Sequence, residues 1–265
     1  MKKIAVCGIA GRMGRAITQI LLDRHHSLGA AFEYEKSPYI GSDVGILIQR
    51  ESLNVPVSAI DEKLLSEIDC IIDFSTIESS MALLDIAKKM NKPLVLGTTG
   101  FSDQQRMLIE SASEDIPLLF SPNMSVGVNI LFKLTEITSK ILKNDFDIEI
   151  FEAHHRNKKD APSGTAKRLL DIIKQSVDEL HDASEIYDRS VITNKRTNNE
   201  IGISSLRGGD IIGEHTVFFI GNDERLELTH KAASRNTLAS GAVIAMEFLL
   251  DKPAGLYSMF DVLGL

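Results

Sequence analysis

Residues 3 to 33 carry a succession of patterns that few architectures accommodate. The apolar run Lys3-Ile4-Ala5-Val6-Cys7 precedes glycines at 8, 11 and 14, a helical period of apolar residues, and a second apolar run ending before Glu33. A short run that is apolar on both faces is typical of a parallel strand covered by helices. With a glycine turn, a helix, a second strand and an acid about 20 residues on, it predicts a βαβ unit that binds a dinucleotide.

The same alternation of strand and helix patterns continues to about residue 120. Apolar runs at 70–74, 94–97 and 117–120 alternate with helical periods at 81–89 and 104–112. This order predicts a doubly wound parallel sheet whose ligands bind at the carboxyl ends of the strands. Gly97-Thr98-Thr99 and Ser121-Pro122-Asn123-Met124 follow two of these strands. On its residues alone, the first segment is equally compatible with a simple turn.

The pattern changes beyond residue 125. Helical periods at 126–142 and 165–179 precede a polar segment at 180–200, for which we expect an exposed, irregular chain. Strand patterns follow at 201–206, 211–220 and 225–230, with the first two joined across Gly208-Gly209. They predict a separate, mixed α+β lobe with an open antiparallel sheet. A last helical period, near 239–250, ends at Lys252-Pro253.

Residues 152 to 168 concentrate titratable and cationic side chains. The alternation at 146–150 predicts a strand that leads into His154 and His155. Five Lys or Arg residues stand here against two acids, in a chain of net charge −8. Ser163 or Thr165 is suited to cap a following helix, whose first amides accept an anion. The segment therefore predicts a site for a small anionic ligand. The alternatives are a solvated charged loop and, for His154, a hydrogen-bonded core histidine.

Several classes of function are disfavoured. The acidic net charge and the absence of a basic stripe argue against nucleic acid, and no apolar run is long enough to span a bilayer or act as a signal peptide. Adjacent histidines on an extended segment face opposite ways, so we predict no metal site. Cys7 and Cys70 fall in apolar runs as small buried hydrophobes, which suits a reducing cytosol.

The string E-A-H-H-R-N-K-K-D-A-P-S-G-T-A at 152–166 closely resembles the signature of the dihydrodipicolinate reductase family. The resemblance extends through G-I-A-G-R-M-G, G-T-T-G-F, N-M-S-V-G-V-N and R-G-G-D-I-I-G-E-H-T, which begin at 8, 97, 123 and 207. It implies NAD(P)H-dependent reduction of a dihydrodipicolinate-type ring, 4-hydroxy-tetrahydrodipicolinate, in the diaminopimelate route to lysine. It also implies a cytoplasmic homotetramer acting on a small dicarboxylate.

The resemblance further implies which residues act. Residues 1–125 and 236–265 would form the dinucleotide-binding domain, and 126–235 the substrate-binding and oligomerisation domain. His154 and Lys158 would be the catalytic acid pair. The residues expected to bind substrate are His155, Ser163, Gly164 and Thr165. Those expected to bind NADH or NADPH are Gly8, Ile9, Ala10, Gly11, Arg12, Met13, Glu33, Gly97, Thr98, Thr99, Ser121, Pro122, Asn123 and Met124. Ala10 replaces the commoner glycine, so its backbone is expected to avoid a positive φ.

Two other functions stay open on the sequence. A non-catalytic nucleotide sensor needs the glycine turn but no proton donors. Another two-domain dehydrogenase, for example of semialdehydes, needs a reactive cysteine in a βα loop, where neither cysteine lies. For the cofactor, Glu33 favours ribose hydroxyls over a 2′-phosphate, Tyr34 adds no charge, and Arg12 is a possible phosphate partner. We therefore expect both cofactors to be accepted, with NADH equal or preferred.

Overall fold

The computed structural model describes residues 2–234 and 236–265. The chain divides into two compact units, one of Met1–Val126 with Arg235–Leu265 and the other of Gly127–Ser234. The first unit is therefore assembled from both ends of the chain. Among the helices of the described residues, none is long and apolar enough to cross a bilayer.

The first unit alternates strands and helices along most of its length. Its strands are β1 (Lys3–Cys7), β2 (Ser27–Phe32), β3 (Val57–Ser58), β4 (Cys70–Asp73), β5 (Leu94–Leu96) and β6 (Pro117–Phe120). Its helices up to that point are α1 (Arg12–Asp23), α2 (Val44–Leu47), α3 (Glu62–Ser66), α4 (Ile77–Lys89) and α5 (Asp103–Ala112). The second unit then contributes α6 (Val126–Leu142), β7 (Asp147–His154), α7 (Gly164–Ser176), β8 (Ser184–Ile186), β9 (Glu200–Arg207), β10 (Gly213–Ile220) and β11 (Arg225–Ala232). The chain ends with α8 (Asn236–Leu249), β12 (Gly255–Tyr257) and α9 (Met259–Leu263), back in the first unit.

The sheet of the first unit has seven strands in the order β12-β6-β5-β4-β1-β2-β3, and all its paired strands are parallel. Side chains of β1 alternate between two cores. Ile4 and Val6 pack on the side that holds α1 and α8, whereas Ala5 and Cys7 pack with residues of α4 and α5. The strand order reverses direction at β1 and β4. Such a switch point opens a crevice at the carboxyl ends of the strands, and the predicted doubly wound parallel sheet is confirmed.

The second unit has a five-stranded sheet in the order β11-β10-β7-β9-β8. β10 is antiparallel to β11 and β7, but β9 is parallel to β7, and β8 is parallel to β9. The expectation of an antiparallel sheet was therefore wrong, and the sheet is mixed. The strands joined across Gly208-Gly209 are not neighbours, because β7 lies between them.

Several shorter elements were not predicted from the sequence patterns. The segment at 180–200 is largely exposed, as expected, but it includes β8, which extends the sheet beyond β9. α7 ends at Ser176 instead of near 179, and a separate short 3-10 helix covers Asp178–Leu180. α2, β3, α3, β12 and α9 were not predicted, since each has five residues or fewer and leaves too short a period to recognise.

Candidate active site

A cavity of about 920 Å³ opens at the switch point of the first sheet. It is lined by the residues that follow β1, β2 and β4, among them Gly8, Gly11, Glu33 and Phe74. Gly8 has φ +74°, and a Cβ atom there would lie 2.6 Å from the Phe74 carbonyl oxygen. The close approach of these two strand ends therefore requires glycine at position 8. A wide crevice with a glycine turn at its floor fits the pyrophosphate and ribose of a dinucleotide.

Glu33 lies at this cavity, where the sequence pattern places the ribose. Its Oε1 accepts a 2.8 Å hydrogen bond from the Ala10 amide, which fixes the carboxylate beside the turn. Ala10 is not among the residues with positive φ, so the expectation for that position is confirmed. Tyr34 also lines the cavity and is 58% exposed. Arg12 is exposed at the start of α1.

A second, smaller cavity of about 410 Å³ lies at the ends of β4 and β5. Met13, Gly97, Thr98 and Thr99 line it. Thr98 is buried, and its hydroxyl lies 2.8 Å from the Ser80 hydroxyl, which donates to the buried Asp73. Burial raises the pKa of Asp73, although hydrogen bonds from Ser75, Ser80 and Thr98 oppose the shift. The Thr-Thr-Gly segment is thus anchored at a cavity instead of forming an isolated turn.

The remaining residues expected to bind cofactor lie at the same edge of the sheet. Ser121, Pro122, Asn123 and Met124 follow β6, the neighbour of β5. The Ser121 hydroxyl donates to the Asn123 carbonyl, and the Ser125 amide donates to the Asn123 side chain. Met124 and Ile9 are buried in the core.

In the second unit, strand register assembles a polar cluster at the end of β7. His154 is paired with Arg207 on the parallel strand β9, and Glu152 is paired with His215 on the antiparallel strand β10. Glu152 and His154 are two residues apart and therefore share one face of the sheet. Three strands that are distant in sequence thus bring two histidines, an arginine and a glutamate together.

The buried carboxylate of Glu152 is the centre of this cluster. Both of its oxygens accept hydrogen bonds from Arg207, at 2.7 and 2.9 Å. One oxygen also accepts from the Ser163 amide at 3.1 Å, and the other lies 2.5 Å from Nδ1 of His154. Burial alone would raise the pKa of Glu152, but the hydrogen bonds from Arg207, Ser205 and His154 outweigh it and lower the pKa to about 2. Glu152 is therefore ionised at neutral pH.

His154 is almost fully buried beside this carboxylate. Burial lowers its pKa, the Glu152 carboxylate opposes that shift, and the charges of Lys158 and Arg207 add to it. The ring of His215 lies edge-on to that of His154, with centroids 5.2 Å apart. Burial, followed by the effect of His154, lowers the pKa of His215 to about 4. Hence His215 is neutral, and its Nε2 lies 3.0 Å from the Ser163 hydroxyl.

The loop after β7 carries Lys158 on a tight turn. The Lys158 amide donates to the His155 carbonyl, and its ammonium group lies 2.9 Å from Asp160. This ion pair lowers the pKa of Asp160 and ties Asp160 to the turn that carries Lys158. The Asp160 carbonyl in turn accepts from Arg207. Lys158 is half-buried, as is His155, so both are partly accessible.

The first turn of α7 contains the other residues expected to bind substrate. Ser163 is its N-cap, and the Ser163 hydroxyl accepts from the Ala166 amide at 3.2 Å. Gly164 is exposed and Thr165 is half-buried. The first amides of a helix have no acceptor within it, and its dipole favours an anion there. Ser163 and Glu152 therefore fix the position of an anion-accepting helix end next to His154.

Sequence reasoning missed Glu152, Arg207 and His215 as members of this cluster. One signal was available, since Glu152 precedes His154 by two residues and so shares its face in a strand. Arg207 and His215 gave no such signal, because their positions depend on the pairing of β9 and β10 with β7. Across residues 2–234 and 236–265, no three His, Cys, Asp or Glu side chains are grouped as metal ligands would be.

Comparison with known proteins decides the family. The family model described as "Dihydrodipicolinate reductase, N-terminus" matches residues 2–124 of the sequence. The family model described as "Dihydrodipicolinate reductase, C-terminus" matches residues 127–263. This chain belongs to the dihydrodipicolinate reductase family. It is accordingly an oxidoreductase, of a family that uses a nicotinamide cofactor.

Relatives of this dihydrodipicolinate reductase family member align over its full length. The 4-hydroxy-tetrahydrodipicolinate reductase of Hahella chejuensis is 44% identical and covers 100% of both chains. That of Magnetococcus marinus is 45% identical over 99% of this chain and 98% of its own. The dipicolinate-bound dihydrodipicolinate reductase of Paenisporosarcina sp. TG-14 has a TM-score of 0.79 at 23% identity, covering 98% of each chain. At that identity, the structural likeness supports the fold.

Proposed function

We propose that this chain reduces 4-hydroxy-tetrahydrodipicolinate to tetrahydrodipicolinate and water, with oxidation of NADH or NADPH, in the diaminopimelate route to lysine. The observation that carries the proposal is the full-length alignment with curated enzymes of that name, at 44% identity for Cupriavidus pinatubonensis. The first unit supplies a crevice suited to a dinucleotide, and the second supplies a cationic, histidine-bearing site suited to a dicarboxylate. The dipicolinate bound by the Paenisporosarcina enzyme is a ring of that class.

The nicotinamide cofactor supplies the hydride when it is bound. The chain itself has to hold the substrate carboxylates and deliver a proton to the atom that becomes electron-rich. We assign proton delivery to His154 and Lys158, which stand on the same loop-and-strand segment, with the Lys158 charge acting on the His154 ring. Glu33 and the glycine turn are assigned to the adenosine ribose and pyrophosphate, and the end of β5 to the nicotinamide side.

For the substrate carboxylates, we assign His155 and the first turn of α7. The amides of Gly164 and Thr165 and the Thr165 hydroxyl are suited to donate hydrogen bonds to a carboxylate at the helix end. Ser163 contributes by a different route. Its hydroxyl is engaged by Ala166 and His215, so it fixes the turn that presents those amides.

Turnover tests the proposed function directly. The condensation product of pyruvate and aspartate semialdehyde is added to the protein and NADH, and loss of NADH absorbance is followed. Turnover that forms tetrahydrodipicolinate is expected. Binding of NADH without any turnover would instead favour a nucleotide sensor, the alternative class. Oxidation of NADH only with unrelated carbonyl substrates would favour another dehydrogenase.

Substitution of His155 or Thr165 by alanine is expected to raise the substrate KM several-fold with a smaller change in kcat. The reason is that a carboxylate contact is made in both the ground state and the transition state. Steady-state kinetics at saturating NADH measures both constants. Lys167→Ala, an exposed cation on the same helix, is the matched control. A fall in kcat with unchanged KM would contradict the binding assignment.

The enzyme is expected to accept both cofactors, with NADH equal or preferred. Glu33 repels a 2′-phosphate and Tyr34 carries no charge, while a single charge-assisted hydrogen bond contributes about 1.5 to 3 kcal/mol. The measurement is kcat/KM for each cofactor at fixed ionic strength. Tyr34→Arg is expected to shift the ratio about tenfold towards NADPH, an effect of about 1.4 kcal/mol. A wild-type preference for NADPH above about tenfold would show that Arg12 outweighs Glu33.

We also propose a cytoplasmic homotetramer. The edge strand β11 of the second sheet leaves Leu226 exposed, and unpaired strand edges are sites of association. The two cysteines are buried and unpaired, as suits a reducing compartment. Sedimentation at several protein concentrations tests the tetramer.

A further inference from the structure

The contacts of His154 distinguish its two ring nitrogens. Nδ1 lies 2.5 Å from a carboxylate oxygen of Glu152. An ionised carboxylate only accepts hydrogen bonds, so the nitrogen beside it has to be the protonated one. In the neutral ring, Nε2 is then the nitrogen left to exchange a proton. A paired carboxylate that fixes a histidine tautomer in this way is a recurrent device in catalytic sites.

The surroundings of Nε2 favour the same assignment. Gly213, on the neighbouring strand β10, lies close to this nitrogen, and a Cβ atom at that position would lie 3.1 Å from Nε2 and 3.4 Å from Cδ2. That spacing is tighter than ordinary van der Waals contact for the ring. The absence of a side chain at position 213 therefore leaves room on the side of the ring that carries Nε2.

The orientation of Glu152 is in turn fixed by Arg207. Arg207 donates to both carboxylate oxygens, and the same guanidinium donates to the Asp160 and Leu206 carbonyls. A bidentate arginine pair fixes the orientation of a carboxylate as well as its charge. Arg207 also links β9 to the loop that bears Lys158, because Asp160 pairs with that lysine. Both members of the assigned acid pair thus depend on one guanidinium.

Resting on the proposed function, we propose that Glu152 and Arg207 are positioning residues for His154. Glu152 holds Nδ1 as the donor, so that Nε2 is the nitrogen that serves the reaction, and Arg207 fixes Glu152 in the orientation that does so. Within residues 2–234 and 236–265, the charged and titratable groups that face His154 are Glu152 on its own strand, Arg207 on β9, His215 on β10 and Lys158 on the loop. Of these, only Glu152 favours the imidazolium.

The principal test is Glu152→Gln. Oε1 of Glu152 receives the Ser163 amide and one arm of Arg207. A glutamine at position 152 that keeps its carbonyl oxygen at the Oε1 position turns its NH₂ group towards Nδ1 of His154. That nitrogen then has to accept a hydrogen bond. We expect the neutral His154 ring to switch from the Nδ1–H to the Nε2–H tautomer. We expect kcat to fall about tenfold or more, with the KM for NADH unchanged. The alkaline limb of kcat should move to lower pH, because the group that stabilises the imidazolium is lost.

The tautomer is read by ¹⁵N NMR of the histidine-labelled full chain with NADH bound, with His154 assigned by its loss in His154→Ala. Glu149→Gln is the matched control, since Glu149 lies on the same strand and pairs with Arg196 at 3.3 Å, but on the other face. It is expected to leave kcat and the tautomer as in the wild type. A Glu152→Gln enzyme with wild-type kcat, pH profile and tautomer would overturn the proposal.

Two further variants keep the test decisive. In Glu152→Gln/Arg207→Gln, the Arg207 charge that loses its carboxylate partner in Glu152→Gln is also removed. We therefore expect part of the kcat lost in Glu152→Gln to return. Independent roles of the two residues would instead give additive losses of kcat. Gly213→Ala leaves the Glu152–Arg207 pair intact and crowds Nε2, and it should lower kcat with the Nδ1–H tautomer retained. A Gly213→Ala enzyme with normal kcat would overturn Nε2 as the working nitrogen, even if the Glu152 variants do not fold.

The proposed function and the positioning roles fail in different ways. Absence of turnover in the wild type would refute the reductase, yet the NMR comparison would still decide whether Glu152 sets the tautomer. Wild-type turnover with no change in Glu152→Gln would leave the reductase intact and refute the positioning roles.

Discussion

Replacement of His154 or Lys158 by alanine is expected to lower kcat about 100-fold or more, the usual scale for loss of a general acid. His154 is buried against Glu152, and Lys158 is held in its turn by Asp160, so each has one defined position. Their removal takes away the groups assigned to proton delivery, and neither residue is among those that line the dinucleotide crevice. The affinity for NADH, measured by fluorescence titration, is therefore expected to stay near that of the wild type.

Matched controls separate this effect from a general loss of charge. Lys159→Ala removes the neighbouring cation, which is exposed, and His181→Ala removes an exposed histidine of the same unit. Both are expected to keep nearly normal kcat. Near-normal kcat in both His154→Ala and Lys158→Ala would show that the proton comes from elsewhere.

Gly8→Ala is expected to cause the largest loss of stability among the substitutions considered, about 2 to 4 kcal/mol. Two costs add at this position. A non-glycine residue at φ +74° is strained, and the new Cβ atom would lie 2.6 Å from the Phe74 carbonyl oxygen and 3.1 Å from Cα of Ser75. These neighbours are backbone atoms and cannot rotate away. Because they also line the dinucleotide crevice, the Kd for NADH is expected to rise by about tenfold or more.

Gly264→Ala is the control for backbone strain alone. Gly264 has a similar φ of +67°, at the end of α9, but in the described part of the chain no atom beyond its immediate chain neighbours lies within 4 Å of the position of its Cβ. It is expected to cost only about 1 kcal/mol, with an unchanged Kd for NADH. Thermal unfolding and NADH titration of both variants make the comparison. Equal losses in the two variants would show that the contact between the turn after β1 and Phe74 contributes nothing.

Patterns local in sequence predicted the first unit well. The strand, glycine turn and helix of residues 3–23 follow from near neighbours, and α8 ends at Leu249, three residues before Lys252. The second sheet was harder because strand order is a property of distant segments. β9 and β10 are consecutive, yet β7 separates them, and β9 runs parallel to it. Nothing in the runs at 201–220 encodes that arrangement.

The same limit applied to the candidate site. His154, Lys158 and the α7 cap lie within one stretch of the chain and were predicted together. The partners of His154 were not, because Arg207 and His215 reach it only through the register of β9 and β10. The low pKa of Glu152 could not be predicted from the sequence either, since it depends on those same strand pairings.

Because the first unit combines segments from both ends of the chain, it cannot be completed early during synthesis on the ribosome. Its core includes Ala242, Val243 and Met246 of α8, which pack in the same cluster as Ile4 and Val6 of β1. The first strand thus emerges more than 200 residues ahead of the helix that covers it. The second unit is continuous and can fold while translation proceeds. The crevice unit, although begun first, lacks α8 until late in synthesis. A nascent chain stalled before residue 236 would therefore leave part of the sheet face that also carries α1 uncovered and open to chaperones.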